Sequence, residues 1–314
     1  NIAENSGGVH CLKYGVTTNH VLGMKLVLPD GALVEVGGKI AEMPGYDLTG
    51  LFVGSEGTLG IATEITLKIL KVPESVEVLL ADFPDLETAV ESAGKTVADI
   101  IAAGIIPAGM EIMDNLSINA VEDVVATNCY PRDAGAILLI ELDGLAVEVA
   151  ASGDRVSQIC RQNGARQIIT AKDADERLKL WKGRKAAFAA AGKLSPNYFV
   201  QDGVIPRTQL AYVLKKIDAL SKKFGYRIAN VFHAGDGNLH PLILYDESKS
   251  GAFEQVEILG GEILKLCVEV GGSISGEHGI GADKRCYMSE MFSEADLDTM
   301  QWVRHAFNPK ELAN

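Results

Sequence analysis

A chain of 314 residues is longer than one average domain, so the sequence predicts two lobes or one large mixed domain. Its formal net charge of −13 argues against a nucleic-acid or anionic-membrane partner, because both of those surfaces are themselves negative. No apolar run reaches the roughly eighteen residues that a transmembrane helix needs.

The five cysteines are scattered and include no Cys-x-x-Cys pair, which predicts free thiols in a reducing, cytoplasmic compartment. Their spacing also suits no iron–sulfur cluster. The chain begins with Asn1 rather than Met and shows no signal or transit pattern. We therefore expect it to be part of a longer gene product.

The beginning of the chain is rich in glycine and in strand patterns. A Pro-Asp-Gly turn between two apolar runs predicts a β-hairpin of Met24–Leu28 and Ala32–Val36. Leu51–Val53 is expected to form a short buried strand. Apolar and polar residues alternate from Ile61 to Ile69, which predicts a half-buried strand.

Two glycine-rich loops, Asn5–Gly8 and Gly54–Gly60, lie in the same part of the chain. Such loops let backbone N–H groups approach a ligand closely, and a phosphate or a heteroaromatic ring would suit them. The alternative is an ordinary tight connection. Composition leaves both interpretations open.

From Pro73 onward, helices and strands alternate, so Pro73–Ser75 is the best candidate for a domain junction. The predicted strands are Glu77–Asp82, Ala136–Leu142, Gln167–Thr170 and Tyr198–Val204. The predicted helices are Leu86–Ala103, Ala146–Asn163, Ala174–Ala191, one that Thr208 caps and that ends at Phe224, and Gly251–Val270. A last helix opens at Ser293 and ends at Asn308-Pro309, with an apolar stripe of Leu297, Met300, Val303 and Phe307.

One predicted helix carries a charge on its apolar face. Arg184 lies in line with Trp181 and Phe188, where an apolar residue would be expected. Its guanidinium either extends to water along the side-chain stem or meets a carboxylate.

The segment Val231–Pro241 predicts a hairpin with a histidine at each end of its turn. If Ala234–Leu239 form the loop, His233 and His240 are cross-strand partners with Cβ atoms about 4.5–5.5 Å apart. Two imidazoles at that distance can share a metal ion. The alternative is a turn with two incidental histidines.

A second polar cluster, Gly271–Gly281, places Glu277-His278 among glycines. His233, His240 and Glu277 would make a set of two histidines and one carboxylate, which suits Zn, Mn or Fe(II). His278 beside such an ion could take the proton of a bound alcohol. The alcohol is then prepared to lose hydride. The chain has no Gly-x-Gly-x-x-Gly between strand and helix, which favours flavin over nicotinamide as acceptor.

Four motifs in this order resemble the FAD-linked 2-hydroxy-acid dehydrogenases, flavoproteins of the vanillyl-alcohol oxidase type, and in particular their glycolate oxidase-like members. They are Asn1–Gly8 with Lys13–Gly15, Gly54–Ile61, His233–His240 and Gly276–Gly281. The resemblance implies an α+β chain. Residues 1–72 would be the C-terminal part of an FAD-binding domain, 73–292 an α/β, ferredoxin-like substrate and metal domain, and 293–314 a helix returning to the flavin.

The resemblance also implies roles for single residues. His233, His240 and Glu277 would bind the metal, His278 would be the general base, and Arg184 and Asn238 would bind substrate. The residues expected at FAD are Asn5, Ser6, Gly8, Glu56, Gly57, Gly60, Ile61 and Asn314. The pyrophosphate loop of the family's N-terminal portion has no counterpart here, so only part of the flavin site is expected.

The expected reaction is the FAD-dependent oxidation of glycolate or D-lactate to the 2-oxo acid. Arg184 and the metal would hold the substrate carboxylate, the metal would also bind the hydroxyl, and C2 would deliver hydride to the flavin. By the resemblance, glycolate oxidase-like subunits are expected to pass electrons to partner subunits with iron–sulfur clusters. The expected location is the cytoplasm, with peripheral attachment to the inner membrane through those partners. A metal-dependent hydrolase using the same residues, and a non-catalytic carboxylate-binding module, are the alternatives.

Overall fold

The computed structural model describes residues 1–40 and 44–313. They form two compact units. The first unit comprises Asn1–Gly8, Tyr14–Val72 and Ile274–Asn314, and the second comprises Val9–Lys13 and Pro73–Ser273. The divisions therefore fall between Val72 and Pro73 and between Ser273 and Ile274, with a short exchange at Val9–Lys13.

The first unit is built on an antiparallel sheet formed by β1 (Val21–Val27), β2 (Leu33–Gly37) and β3 (Ile61–Leu67). Their order is β2-β1-β3, and the pairing of β1 with β2 confirms the predicted hairpin. Its helices are α2 (Leu48–Phe52), α9 (Met288–Met291) and α10 (Glu294–Phe307), and α1 (Cys11–Tyr14) joins the units along the chain. Ser293 caps α10 as predicted, since its side chain accepts a hydrogen bond from the N–H of Asp296.

Two expectations for this unit are wrong. Leu51–Val53 is not a strand: Leu51 and Phe52 end α2 and Val53 is its C-cap, and Asp47 caps the start of that helix by accepting from the N–H of Gly50 at 2.8 Å. The strand β3 is present, but its isoleucines, which were expected to be buried, are exposed. The exposed fraction of Ile61 is 66%. The opposite side of β3 faces the core of this unit through Ala62.

Among the described residues, the second unit forms one sheet of nine strands. The strands are β4 (Ser75–Phe83), β5 (Gly109–Asp114), β6 (Ala136–Gly144), β7 (Gln167–Thr170), β8 (Asn197–Val200), β9 (Gly203–Val204), β10 (Ile228–His233), β11 (Asn238–Leu239) and β12 (Pro241–Tyr245). Their order is β7-β4-β6-β5-β10-β11-β9, with β12 pairing with β10 and β8.

Helices cover both faces of this sheet. They are α3 (Ala89–Ala102), α4 (Asn115–Val125), α5 (Ala146–Gln162), α6 (Ala174–Ala191), α7 (Leu210–Phe224) and α8 (Ala252–Glu269). On one face α3, α5, α7 and α8 bury an apolar core around Ile112 and Phe232. On the other face α4 and α6 cover Met113, Leu139 and Val231. Because side chains alternate along a strand, residues two positions from Val231 share the α6 face.

Most predicted elements of this unit are confirmed within one to three residues, and β7 and α6 match residue for residue. Thr208 does not cap α7, because a 3₁₀ turn over Arg207–Gln209 precedes it. The predicted strand Tyr198–Val204 is divided into β8 and β9. The strand β5 and the helix α4 were not predicted.

None of the helices in the described part of the chain is long and apolar enough to cross a membrane.

Candidate functional site

The register of the central hairpin differs from the prediction. The turn is Ala234–Gly237, and His233 lies opposite Asn238 rather than His240. Gly237 permits this shorter turn, because its φ is +81° and a Cβ atom there would lie 2.1 Å from the carbonyl oxygen of Ile205. His240 is two residues beyond Asn238, so all three side chains still belong to the α6 face.

The two histidines are therefore close, as diagonal rather than direct partners. Their ring centroids are 5.0 Å apart and the rings are nearly perpendicular. Both side chains are buried. An edge contact from Phe188 of α6 covers His240, and the Nε2 atom of His240 lies 3.7 Å from a carboxylate oxygen of the buried Asp202.

Asn238 lies beside these histidines and is also buried. Within residues 1–40 and 44–313, no group donates a hydrogen bond to its side-chain oxygen, Oδ1. Buried polar atoms in proteins are nearly always paired, so this oxygen is suited to a ligand.

Arg184 meets a carboxylate, which was one of the two alternatives for its side chain. It is only 4% exposed, and its Nε and Nη2 atoms lie 2.6 Å and 2.5 Å from Oε2 of Glu111 on β5. The Nδ1 atom of His233 lies 2.8 Å from Oε1 of the same carboxylate. Glu111 was not predicted. Its signal was a single acid within the apolar run Ala108–Met113.

A second carboxylate on this face anchors α6 one turn before Arg184. Glu141 accepts a hydrogen bond from Nε1 of Trp181 at 2.6 Å, and its other oxygen lies 2.9 Å from Nε2 of His10. The hydrogen bond with Glu141 raises the pKa of His10 above its ordinary value.

In the first unit, the two glycine-rich loops lie side by side. The N–H of Gly54 donates to the carbonyl of Ile2 at 2.9 Å, and the N–H of Glu56 donates to that of Ala3 at 2.7 Å. A Cβ atom added at Gly8 or at Gly57 would meet nothing within 4 Å. The loops thus leave open space where their backbone could meet a ligand.

Other predicted FAD residues lie in or beside these loops. Asn5 accepts from the N–H of Thr18 at 2.9 Å, and Ser6 donates to Glu4 at 3.4 Å. Gly60 ends the second loop, with φ at +159°, and the exposed Ile61 begins β3. Asn314 lies outside the described residues.

Glu56 has a role that its loop did not predict. Its two carboxylate oxygens accept from the N–H groups of Ile280 and Gly281 at 2.6 Å and 2.7 Å. Ile280 and Gly281 come two and three residues after His278, in the loop of the fourth motif. Glu56 thus brings three of the four motifs together in the first unit, while His233, Asn238, His240 and Arg184 lie together in the second.

Residues 72–314 match the family described as FAD linked oxidases, C-terminal domain. The chain is 51% identical over 314 residues to the glycolate oxidase subunit GlcD of Escherichia coli strain K12, covering 100% of this chain and 62% of that protein. GlcD of Bacillus subtilis strain 168 is 39% identical, with coverage of 100% and 66%. A D-lactate dehydrogenase of Anaerostipes hadrus is 31% identical, with coverage of 100% and 67%.

Among solved structures, p-cresol methylhydroxylase with substrate bound has a TM-score of 0.74 and 14% identity, covering 98% of this chain and 66% of that one. This likeness concerns the fold alone, and it confirms the predicted α+β fold of this flavoprotein type. The chain spans 62% of the length of its Escherichia coli relative.

Proposed function

The chain belongs to the FAD-linked oxidase C-terminal domain family, and from this membership we propose that it takes part in the FAD-dependent oxidation of a small D-2-hydroxy acid. The substrate is glycolate or D-lactate and the product is the 2-oxo acid. The observation that carries the proposal is the buried row of Arg184, His233, Asn238 and His240, which offers a cation, two metal-binding imidazoles and an amide. The names of the relatives, glycolate oxidase subunit and D-lactate dehydrogenase, support the substrate class.

We assign a divalent ion (Zn, Mn or Fe) to His233, His240 and Glu277. Two buried imidazoles with centroids 5.0 Å apart fit such an ion, and a carboxylate is a usual third ligand. When bound, the ion supplies Lewis-acid stabilisation of charge on a substrate oxygen.

Three further roles toward the substrate are assigned to side chains. Arg184 binds the substrate carboxylate through the part of its guanidinium that does not face Glu111, and the amide of Asn238 orients the substrate by hydrogen bonding. His278 takes the proton of the substrate hydroxyl. Its ring is 46% exposed, so it can pass that proton on to water.

We assign the flavin to the two neighbouring glycine-rich loops of the first unit. The open space beside Gly8 and Gly57 fits a ligand that approaches the backbone, and Asn5, Ser6, Gly60 and Ile61 are the further residues that we propose there. When bound, FAD would supply a hydride acceptor for the oxidation of the substrate at C2.

The test is a visible absorption spectrum of the purified protein supplied with FAD, taken without oxygen before and after addition of glycolate and then of D-lactate. We expect a flavin band that bleaches with one of the two acids, which identifies the better substrate. A protein that takes up no FAD and stays colourless would contradict the proposal. Bound metal in such a protein would instead support a metal-dependent hydrolase, and absence of both would support a carboxylate-binding module.

Electrons must leave the reduced flavin, and we propose iron–sulfur partner subunits as their acceptors. The support is the word subunit in the name of the GlcD relatives. A cytoplasmic location, with attachment to the inner membrane through those subunits, stays a prediction.

A further inference from the structure

Glu111 is a carboxylate in the middle of the second unit's sheet, on β5 between β6 and β10. Its side chain is 0% exposed. Burial of a carboxylate is costly unless charge and hydrogen bonds compensate it, so a group in this position needs specific partners.

Both partners of Glu111, Arg184 and His233, have a role in the proposed function. Oε2 accepts a hydrogen bond from Nε of Arg184 at 2.6 Å and lies 2.5 Å from Nη2 of the same guanidinium, and Oε1 lies 2.8 Å from Nδ1 of His233. A carboxylate offers only acceptors, so Nδ1 carries the proton in this contact. Arg184, whose Nη2 lies 3.4 Å from Nδ1, cannot accept that proton, because a guanidinium has only donors.

We propose that Glu111 is a positioning residue that serves two binding groups at once. It holds His233 in the tautomer with the proton on Nδ1, which leaves the lone pair of Nε2 for a metal ion. It also fixes one edge of the Arg184 guanidinium, which sets the direction in which the rest of that group meets a substrate carboxylate. The inference rests on the proposed function, in which His233 binds the ion.

The opposing interpretation is that Glu111 and Arg184 form a buried ion pair that matters only for stability. The same sheet contains a matched pair for comparison. Asp82 on β4 is 0% exposed and accepts from Nε and Nη2 of Arg166 at 2.9 Å and 2.7 Å. The substitution Asp82→Asn therefore disturbs a buried carboxylate and an arginine without touching either histidine.

The first experiment measures the affinity of the purified protein for Zn²⁺ and Mn²⁺ by competition with a chelator. Glu111→Gln keeps the size of the side chain but presents an amide donor to either Arg184 or His233. We expect metal binding to weaken about 10- to 100-fold in Glu111→Gln and to stay unchanged in Asp82→Asn. Circular dichroism checks that both variants are folded. Equal weakening in the two variants would overturn the proposal.

The second experiment needs no metal and, for its main result, no variant. Nitrogen-15 NMR of histidine-labelled, metal-free protein in alkaline buffer reports which ring nitrogen of His233 carries the proton. We expect the Nδ1–H tautomer in the wild type and a loss of that preference in Glu111→Gln. An Nε2–H tautomer in the wild type would overturn the proposal. A wild type that shows the expected tautomer but binds no metal would instead contradict the proposed metal centre.

Discussion

The backbone that follows His278 is held by its neighbours in the first unit. Glu56 accepts from the N–H groups of Ile280 and Gly281, and the hydroxyl of Ser275 accepts from the N–H of Gly279. A carboxylate that accepts two backbone hydrogen bonds restrains a loop through its main chain. The side chain of His278, the proposed base, therefore does not have to supply that restraint. His278 can therefore keep a partly exposed ring and still hold a defined position.

We expect His278→Asn to lower the rate of flavin reduction by substrate about 10²- to 10⁴-fold, which is the usual contribution of a general base. Metal content should stay the same, since His278 is not a proposed ligand. Stopped-flow absorbance and elemental analysis measure the two quantities. The matched control is His305→Asn, an exposed histidine on α10 of the same unit, which should reduce flavin at the wild-type rate. A normal rate in His278→Asn would exclude it as the base.

Single residues were predictable where their own position is unusual. Arg184 on the apolar face of a helix already indicated a carboxylate as one of two partners. The identity of that partner was not predictable, because Glu111 is 73 residues away in the chain and meets Arg184 only through the order of the strands. Sheet order depends on the packing of the whole unit and leaves little local signal.

The register of the hairpin at the site depends on the length of its turn. The sequence located the hairpin, but it did not give the register, which the length of the loop decides. A turn of four residues, Ala234–Gly237, replaces the expected six and moves the partner of His233 from His240 to Asn238. Asn238 thereby enters the same buried face as the two histidines.

Gly237→Ala tests this turn. Gly225 at the end of α7 also has a positive φ, +74°, but a Cβ atom there would meet nothing within 4 Å, whereas at Gly237 it would clash with Ile205. We expect Gly225→Ala to lower the free energy of unfolding by about 1 kcal/mol, for the backbone strain alone. Gly237→Ala should cost at least about 3 kcal/mol, because steric overlap adds to the strain. Urea unfolding measures both, and equal losses would contradict the observed turn.

The alternation of apolar and polar residues along β3 was recognised correctly, yet Ile61 and Leu67 are 66% and 54% exposed. Periodicity identifies a strand but does not tell which of its faces the rest of the chain will cover. The strands of the second unit's sheet were easier to predict from the sequence, because helices cover both faces of that sheet and its strands are correspondingly apolar.

Metal removal should change the stability of the folded chain. An ion that binds only the native state raises the free energy of unfolding by about 2.7 kcal/mol when its free concentration is 100 times the dissociation constant. We therefore expect a chelator to lower the melting temperature of the wild type. His233→Ala should lack the metal, and its melting temperature should not respond to the chelator. A response in that variant equal to the wild type's would refute His233 as a ligand.

The two contacts of Glu111, with Arg184 and with His233, also constrain the redesign of this protein. Substrate preference in such a site would ordinarily be altered at the cation proposed to hold the substrate, here Arg184. Because the same carboxylate contacts His233, a smaller or neutral residue at position 184 leaves Glu111 with an uncompensated buried charge beside a proposed metal ligand. A library that varies position 184 alone will therefore confound specificity with cofactor retention, and productive variants are to be sought by randomising positions 111 and 184 together.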